Sequence, residues 1–160
     1  MFSRLEKKEA FTLVGLEDTI PFTDTKKVMP LVLSFLKRFP EIKHTINKLQ
    51  YALSCDGTKE SFVYHLGLEV SKTEDMPEGM VVREVPTHEY AVIIHKGSKM
   101  NILETYDYFF KKWLVEEGYE HVASHPTVEI YDERFIMDGP DVDKSIFEYY
   151  FPIKKKVETA

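Results

Sequence analysis

The chain has 160 residues, a formal net charge of −6 and one cysteine, Cys55. Its length suits a single domain, residues 1–160, its lone cysteine excludes an internal disulfide, and its acidic balance argues against direct nucleic-acid binding. Because no apolar stretch approaches the ~20 residues that cross a bilayer and no secretory signal begins the chain, we expect a cytoplasmic protein without a membrane partner.

The first half of the chain predicts a strand, a helix and a hairpin. Residues 11–16 (FTLVGL) form a β-rich run. A helix follows a cap at residues 24–25, keeps its apolar residues at helical spacing and ends at Pro40. Two strands, 51–55 and 62–70, flank an Asp-Gly turn and form a hairpin.

The second half predicts the same elements after a polar connection. Residues 81–85 are extended, and 89–95 (EYAVIIH) is a strongly strand-like run. A helix is expected over 101–117, because apolar and aromatic residues recur there at helical spacing. Two more strands are expected at 127–131 and 146–153.

These elements form a repeat, because residues 11–70 and 90–153 both run strand, helix, strand, strand. The pattern predicts an α+β fold in which two such units form antiparallel sheets around a pseudo-two-fold axis. Helices would cover one face of the sheets, and the opposite faces would meet over a ligand cleft between the repeats.

The strand within TVEIYDERF, residues 127–135, carries the most informative side chains. Alternate residues of a strand share a face, so Val128 and Ile130 point one way while Glu129 and Tyr131 point the other. If the apolar pair faces the helices, the carboxylate and the phenol face the cleft. The alternation also fits a strand whose polar face is solvated.

The last strand alternates in a similar way. Phe147, Tyr149 and Phe151 form an aromatic stripe that we assign to the core, which leaves Glu148 and Tyr150 on the other side. Two strands would then offer a carboxylate and a phenol each on one surface.

A carboxylate among aromatic rings is chemically suited to a cation. An ionised Glu removed from water without a partner costs several kcal/mol, and ring faces add about 0.5–2 kcal/mol each for a desolvated cation. The same Glu and Tyr could also act as a base and a hydrogen-bond donor in catalysis.

Other candidate residues give weaker signals. Trp113 lies on a helical aromatic stripe, which is more typical of a core than of a cofactor site. His121 and His125 have the offset of helical zinc ligands, but Gly118 ends the helix before them. We therefore expect no metal site and no cofactor.

Four segments follow one another over residues 85–155: VPTHEYAVIIHKG, ETYDYFFKKWLVEEGYE, TVEIYDERF and YYFPIKK. Together they resemble the gyrase-inhibitor-like small-molecule-binding domain, which is also the effector-binding module of regulators of the AraC and MerR types. The resemblance implies two strand-helix-strand-strand units with a ligand cleft between them, in agreement with the repeat.

The resemblance also implies site residues. In the family, an acidic residue in the strand corresponding to TVEIY lies in an aromatic cleft and meets cationic, hydrophobic ligands; that residue is Glu129 here. The matching aromatic candidates are Tyr131, Trp113, Tyr90 and Tyr150.

One departure from the regulators concerns the start of the chain. A DNA-binding region precedes the domain in them, whereas only about ten residues precede the first predicted strand here. The resemblance thus implies a stand-alone member that cannot activate transcription by itself.

Three functions remain open from the sequence. The leading hypothesis is a module that binds an amphipathic, cationic small molecule at Glu129. The second is a hydrolase that opens cyclopropane-type electrophiles with Glu129 as base and Tyr131 as acid. The third is a protein-interaction module that inhibits a partner such as gyrase.

Overall fold

A computed structural model describes residues 1–157 and confirms the predicted α+β fold. In the first repeat the predicted cap is correct, because the Asp24 side chain accepts a hydrogen bond from the Lys26 backbone amide in the turn that leads into the helix. The elements of this repeat are β2 (Phe11–Pro21), α1 (Val28–Arg38), β3 (Gln50–Cys55) and β4 (Ser61–Glu69).

The second repeat has the same order, and its helix is interrupted. Between α2 (Ile102–Asp107) and α3 (Leu114–Glu117) lies a π-helical segment, Tyr108–Trp113. Gly118 ends the helix with φ of 72°, in the left-handed region that favours glycine. The strands of this repeat are β6 (His88–Lys96), β8 (Thr127–Tyr131) and β9 (Ile146–Lys155).

Three further strands lie outside this pattern: β1 (Ser3–Lys8), β5 (Val81–Val85) and β7 (Tyr119–His121). The extended prediction for β5 is confirmed, whereas β1 and β7 were not expected. The charged residues of β1 concealed it, because it is an outer strand with most of its side chains in solvent. The outer strands are exchanged: β1 precedes the first repeat but pairs with β6, and β5 precedes the second but pairs with β2.

All the strand pairs are antiparallel, and the strand order shows the pseudo-two-fold relationship. The order is β1-β6-β9-β8-β3-β4-β2-β5, with β7 pairing beside β9. Each repeat therefore contributes a three-strand block, and the blocks join where β3 pairs with β8. Within residues 1–157, no helix is both long and apolar enough to cross a membrane.

Both faces of the sheet are packed. On one face, α1 covers a first-repeat core and the 102–117 helix covers a second-repeat core. On the other face, side chains from both repeats share a third cluster, so the sheet curves around it. We call this third cluster the concave core; it consists of Phe11, Leu13, Tyr51, Leu53, Val85, Tyr90, Val92, Val128, Ile130 and Tyr150.

A pair of glycines permits a close approach of β2 and β4. Gly15 and Gly67 are opposite each other where β2 pairs with β4. A Cβ atom on Gly15 would lie 1.8 Å from the Leu66 carbonyl oxygen and 2.6 Å from the Gly67 Cα. Only glycine allows the two backbones to approach so closely.

The region 42–49, between the first helix and β3, is irregular. A 3₁₀ turn, Phe39–Glu41, ends the first helix, and Thr45 then forms an isolated bridge with Val70.

Candidate ligand-binding site

Glu129 lies at the centre of the sheet, on the face that carries the helices. Its strand, β8, is one of the two strands at the junction between the repeats, and Glu129 is opposite Ala52 on one side and Tyr149 on the other. The residue is only 5% exposed. The alternative of a solvated strand face is therefore wrong for Glu129.

Two phenols hold the carboxylate, one from each repeat. The Tyr131 hydroxyl donates to Oε1 at 2.5 Å, and the Tyr64 hydroxyl donates to Oε2 at 3.0 Å. Burial, reinforced by the negative charge of Glu129, raises the pKa of both phenols well above its usual value. Both hydroxyls therefore stay protonated at neutral pH and act as donors to the carboxylate.

Lys99 supplies a positive charge at the same place. Its Nζ lies 3.7 Å from Glu129 Oε1 and 3.5 Å from the Tyr64 hydroxyl. The ammonium also lies 5.1 Å from the ring centroid of Tyr131 and 5.7 Å from that of Phe147. The Lys99 side chain is 38% exposed, so this cation connects the buried carboxylate with solvent.

Further rings form the wall around the carboxylate. The Tyr131 ring stacks on Phe147 with centroids 4.7 Å apart, and Tyr106 meets Tyr149 edge-on at 5.4 Å. The pKa of Tyr106 and of Tyr149 is raised by burial and then by the charge of Glu129. The surroundings of Glu129 are therefore aromatic, with neutral hydroxyls.

A series of rings connects this wall with the surface of the first repeat. Phe62 meets Tyr64 edge-on, with centroids 6.1 Å apart, and stacks on Phe22 at 5.6 Å. Phe22 is 54% exposed. Aromatic rings therefore extend from the exposed Phe22 inwards to the phenol of Tyr64 that bonds Glu129.

The expected grouping of the last two strands is wrong. In the register of β8 and β9, Glu129 is opposite Tyr149 while Val128 is opposite Tyr150. Tyr149 therefore shares the face of the carboxylate, and Tyr150 points into the concave core, where its hydroxyl accepts a hydrogen bond from Arg4 at 3.0 Å. Val128 and Ile130 belong to the concave core and do not face the helices, so Glu129 lies on the helix-bearing face, opposite to the expected arrangement.

Tyr90 also belongs to the concave core. It is fully buried, its ring lies 5.6 Å from that of Tyr150, and its hydroxyl forms a 2.7 Å hydrogen bond with His125 Nε2. Of the predicted aromatics, Tyr131 alone bonds Glu129; Tyr90 and Tyr150 lie on the far side of the sheet.

Trp113 packs in the second-repeat core. Its ring lies 5.8 Å from Phe109 and 5.5 Å from Tyr119, at the end of the helix that packs on β9. These contacts fit the reading of the helical aromatic stripe as core.

The two spaced histidines have different surroundings. His121 packs edge-on against Phe110, whereas His125 stacks on His88 with ring centroids 4.1 Å apart. Burial and the neighbouring His88 lower the pKa of His125 to about 4. Over residues 1–157, no group of three or more His, Cys, Asp or Glu side chains is arranged to hold a metal ion.

Comparison with known families agrees with this architecture. The model of the GyrI-like small molecule binding domain matches residues 1–154. The chain belongs to this family. It is 34% identical over 157 residues to the transcriptional regulator BrlR of Pseudomonas aeruginosa, covering 96% of this chain and 56% of BrlR. The GyrI-like chain thus spans about half the length of that curated relative.

Two solved structures share the fold of this GyrI-like chain. The EcmrR C-terminal domain superposes with a TM-score of 0.71 and 18% identity, covering 96% of this chain and 98% of that one. SAV2435 bound to tetraphenylphosphonium superposes with a TM-score of 0.68 and 16% identity, covering 96% and 94%.

The sequence reasoning missed Tyr64 and Lys99. Tyr64 lies in FVYHLGLEV, where three-dimensional pairing through β3 brings it beside β8. Lys99 follows the Lys-Gly-Ser turn after β6 and looks like an ordinary surface lysine in the sequence. The signal that could have identified Lys99 is its position at the start of the second-repeat helix, which packs on the central strands.

Proposed function

We propose that the helix-face site around Glu129 binds an amphipathic small molecule that carries a positive charge. The observation that carries the proposal is a 5%-exposed carboxylate within aromatic walls, with hydroxyl donors on both of its oxygens. A carboxylate in such a place is stabilised by a cation that shares its low-dielectric surroundings.

The position of the Lys99 ammonium supports a cationic ligand. It is near the carboxylate and within cation–π distance of Tyr131, Tyr64 and Phe147. These are the contacts that a quaternary or lipophilic cation would use, and each desolvated ring contact is worth about 0.5–2 kcal/mol.

The exposed end of the ring series supports the amphipathic part. Phe22 and Phe62 offer stacked aromatic surface between solvent and Tyr64. The apolar groups of a ligand would pack there while its charge lies against Glu129. SAV2435, which shares the fold, is bound to tetraphenylphosphonium, a cation enclosed by four phenyl rings.

Isothermal titration calorimetry with tetraphenylphosphonium tests the proposal. We expect saturable binding, weakened at least about tenfold by Glu129→Gln, which keeps the shape of the side chain and removes its charge. Glu133→Gln removes the same charge from an exposed position nearby and should leave the affinity unchanged. Equal affinities for the wild type and Glu129→Gln would refute a role for the carboxylate.

A hydrolase is the second candidate, favoured by the 2.5 Å contact between a carboxylate and a phenol. Glu129 would take the proton of a water whose oxygen attacks a strained ring carbon, and Tyr131 would protonate the carbon released as the ring bond breaks. Incubation with a cyclopropane-bearing electrophile, followed by mass spectrometry, would detect addition of water. Turnover lost in Glu129→Gln with binding retained would favour this reaction over binding alone.

A further inference from the structure

We propose that Lys99 is an internal cation that occupies the charge position of the ligand site, so that a positively charged ligand must displace its ammonium in order to reach Glu129. This inference rests on the proposed function and names the residue that competes with the ligand for Glu129. It follows from where Lys99 lies and how the loop around it is held.

The Lys99 ammonium already has the surroundings that a bound cation would have. It lies 3.7 Å from Glu129 Oε1, 3.5 Å from the Tyr64 hydroxyl and 5.1 Å from the centre of the Tyr131 ring. The carboxylate therefore has a positive partner in the absence of ligand. A second cation at the same place would meet like-charge repulsion unless the ammonium moved away.

The backbone that carries Lys99 is anchored. Gly97 has φ of 104°, which lets the chain turn sharply after β6, and the Ser98 side chain accepts a hydrogen bond from the Met100 amide. The His95 ring, 2% exposed, holds the turn from below: Nε2 donates to the Ser98 carbonyl at 2.9 Å, and Nδ1 accepts from the Thr105 hydroxyl at 2.7 Å. A carbonyl can only accept, which assigns these roles for a neutral imidazole.

The side chain of Lys99, in contrast, can leave without a change in the fold. It is 38% exposed and reaches the site along a flexible four-carbon stem, so rotation about its side-chain bonds would move the ammonium into water. The next residue, Met100, is 90% exposed, which places this turn at the surface of the protein.

A ligand that displaces the Lys99 ammonium must itself carry a positive charge. Once the ammonium has moved into water, Glu129 is left buried with hydroxyl donors alone, which is unfavourable unless the ligand replaces the positive charge. A neutral molecule of the same shape does not provide that replacement. A neutral ligand therefore leaves the ammonium in place, whereas a cationic ligand must compete with it, so Lys99 weakens the binding of cationic ligands.

The experiment compares variants of Lys99 with two probes of similar shape, the cation tetraphenylphosphonium and the neutral triphenylphosphine oxide. Lys99→Met keeps most of the length of the side chain and removes its charge. We expect it to bind the cation about tenfold more tightly than the wild type and to change the affinity for the neutral probe much less. Lys99→Arg should not show this gain in affinity for the cation. Lys96→Met, which removes the same charge from an exposed position three residues earlier, is the control.

Each outcome is decisive. Unchanged or weaker cation binding by Lys99→Met, alongside clear binding by the wild type, overturns the inference and leaves the proposed function intact. An equal gain for both probes also overturns it, since charge would then play no part. Absence of cation binding in both the wild type and Lys99→Met refutes the proposed function itself.

A second measurement follows the Lys99 side chain directly in the wild-type protein bound to ligand. Lysines labelled by ¹³C-dimethylation give separate NMR signals, and the signal missing from Lys99→Met identifies Lys99. Saturation with tetraphenylphosphonium should move that signal towards those of exposed lysines. A Lys99 signal that stays at its ligand-free position in the saturated complex overturns displacement.

Discussion

Tyr131 donates a 2.5 Å hydrogen bond to Glu129, two residues before it on the same face of β8. Tyr64, from the other repeat, donates to the second carboxylate oxygen at 3.0 Å. The carboxylate thus links the two repeats through side chains, beside the backbone pairing of β3 with β8. Its hydrogen bonds are part of the stability of the fold as well as of the candidate site.

Removal of either hydroxyl should destabilise the protein. Tyr131→Phe or Tyr64→Phe leaves a buried charged oxygen with one donor fewer, and we expect the free energy of unfolding to fall by about 1–3 kcal/mol in each case. Urea denaturation followed by circular dichroism measures this change in the free energy of unfolding. Tyr119→Phe, which keeps the ring that packs on Trp113, is the control and should stay within about 0.5 kcal/mol of the wild type. Two Phe variants as stable as this control would contradict the expectation.

The close approach of β2 and β4 predicts a strong effect at Gly15. A Cβ there would meet backbone atoms at 1.8 and 2.6 Å, which side-chain movement cannot relieve. Gly15→Ala should therefore lower the free energy of unfolding by about 3 kcal/mol or more, or prevent folding.

Gly57→Ala is the matched control for this substitution. A Cβ on Gly57 meets nothing within 4 Å, so stability should change by less than about 0.5 kcal/mol. Thermal denaturation of both variants compares them. A Gly15→Ala protein as stable as Gly57→Ala would show that the strands can separate at low cost.

Histidine burial predicts a loss of stability in mild acid. The pKa of His125 is lowered to about 4 by burial and by His88, so the unfolded chain, with a His pKa of about 6.5, binds the proton more readily. The contribution is fully present above about pH 6.5 and is lost as the pH falls towards 4.

Urea titrations at pH 7.5 and pH 5 measure this effect. We expect a decrease of about 1 kcal/mol from His125, after allowance for its partial exposure, and a smaller decrease in His125→Gln. Some pH dependence of stability should remain in the variant, since burial also lowers the pKa of His65. Identical pH dependence in the variant and the wild type would show that a group other than His125 causes the loss of stability in acid.

The position of Trp113 predicts that this residue affects stability rather than binding. Its ring packs on Phe109 and Tyr119 in the second-repeat core. Trp113→Phe should lower the free energy of unfolding by about 1–3 kcal/mol and keep the affinity for tetraphenylphosphonium within about twofold. A large loss of affinity in a folded Trp113→Phe protein would place Trp113 at the ligand after all.

The pattern of elements and the choice of Glu129 came from the sequence, because they depend on local periodicity. Helical spacing predicted both helices, turn residues predicted the β3–β4 hairpin, and alternation placed Glu129 and Tyr131 on one face of β8. These signals arise within a few residues of each other in the chain. The duplicated order followed from them directly.

The surroundings of Glu129 were decided by the tertiary structure. The register of β8 with β9 set Tyr149 rather than Tyr150 beside the carboxylate, and a shift of one residue would have reversed this. Tyr64 and Lys99 reach Glu129 from 65 and 30 residues away in the chain, through strand pairing and a turn after β6. Local periodicity carries no information on such contacts, because they depend on how strands pair and how the sheet curves. Glu129 and Tyr131 could be predicted from their own strand, but the second phenol, Tyr64, and the cation, Lys99, could not.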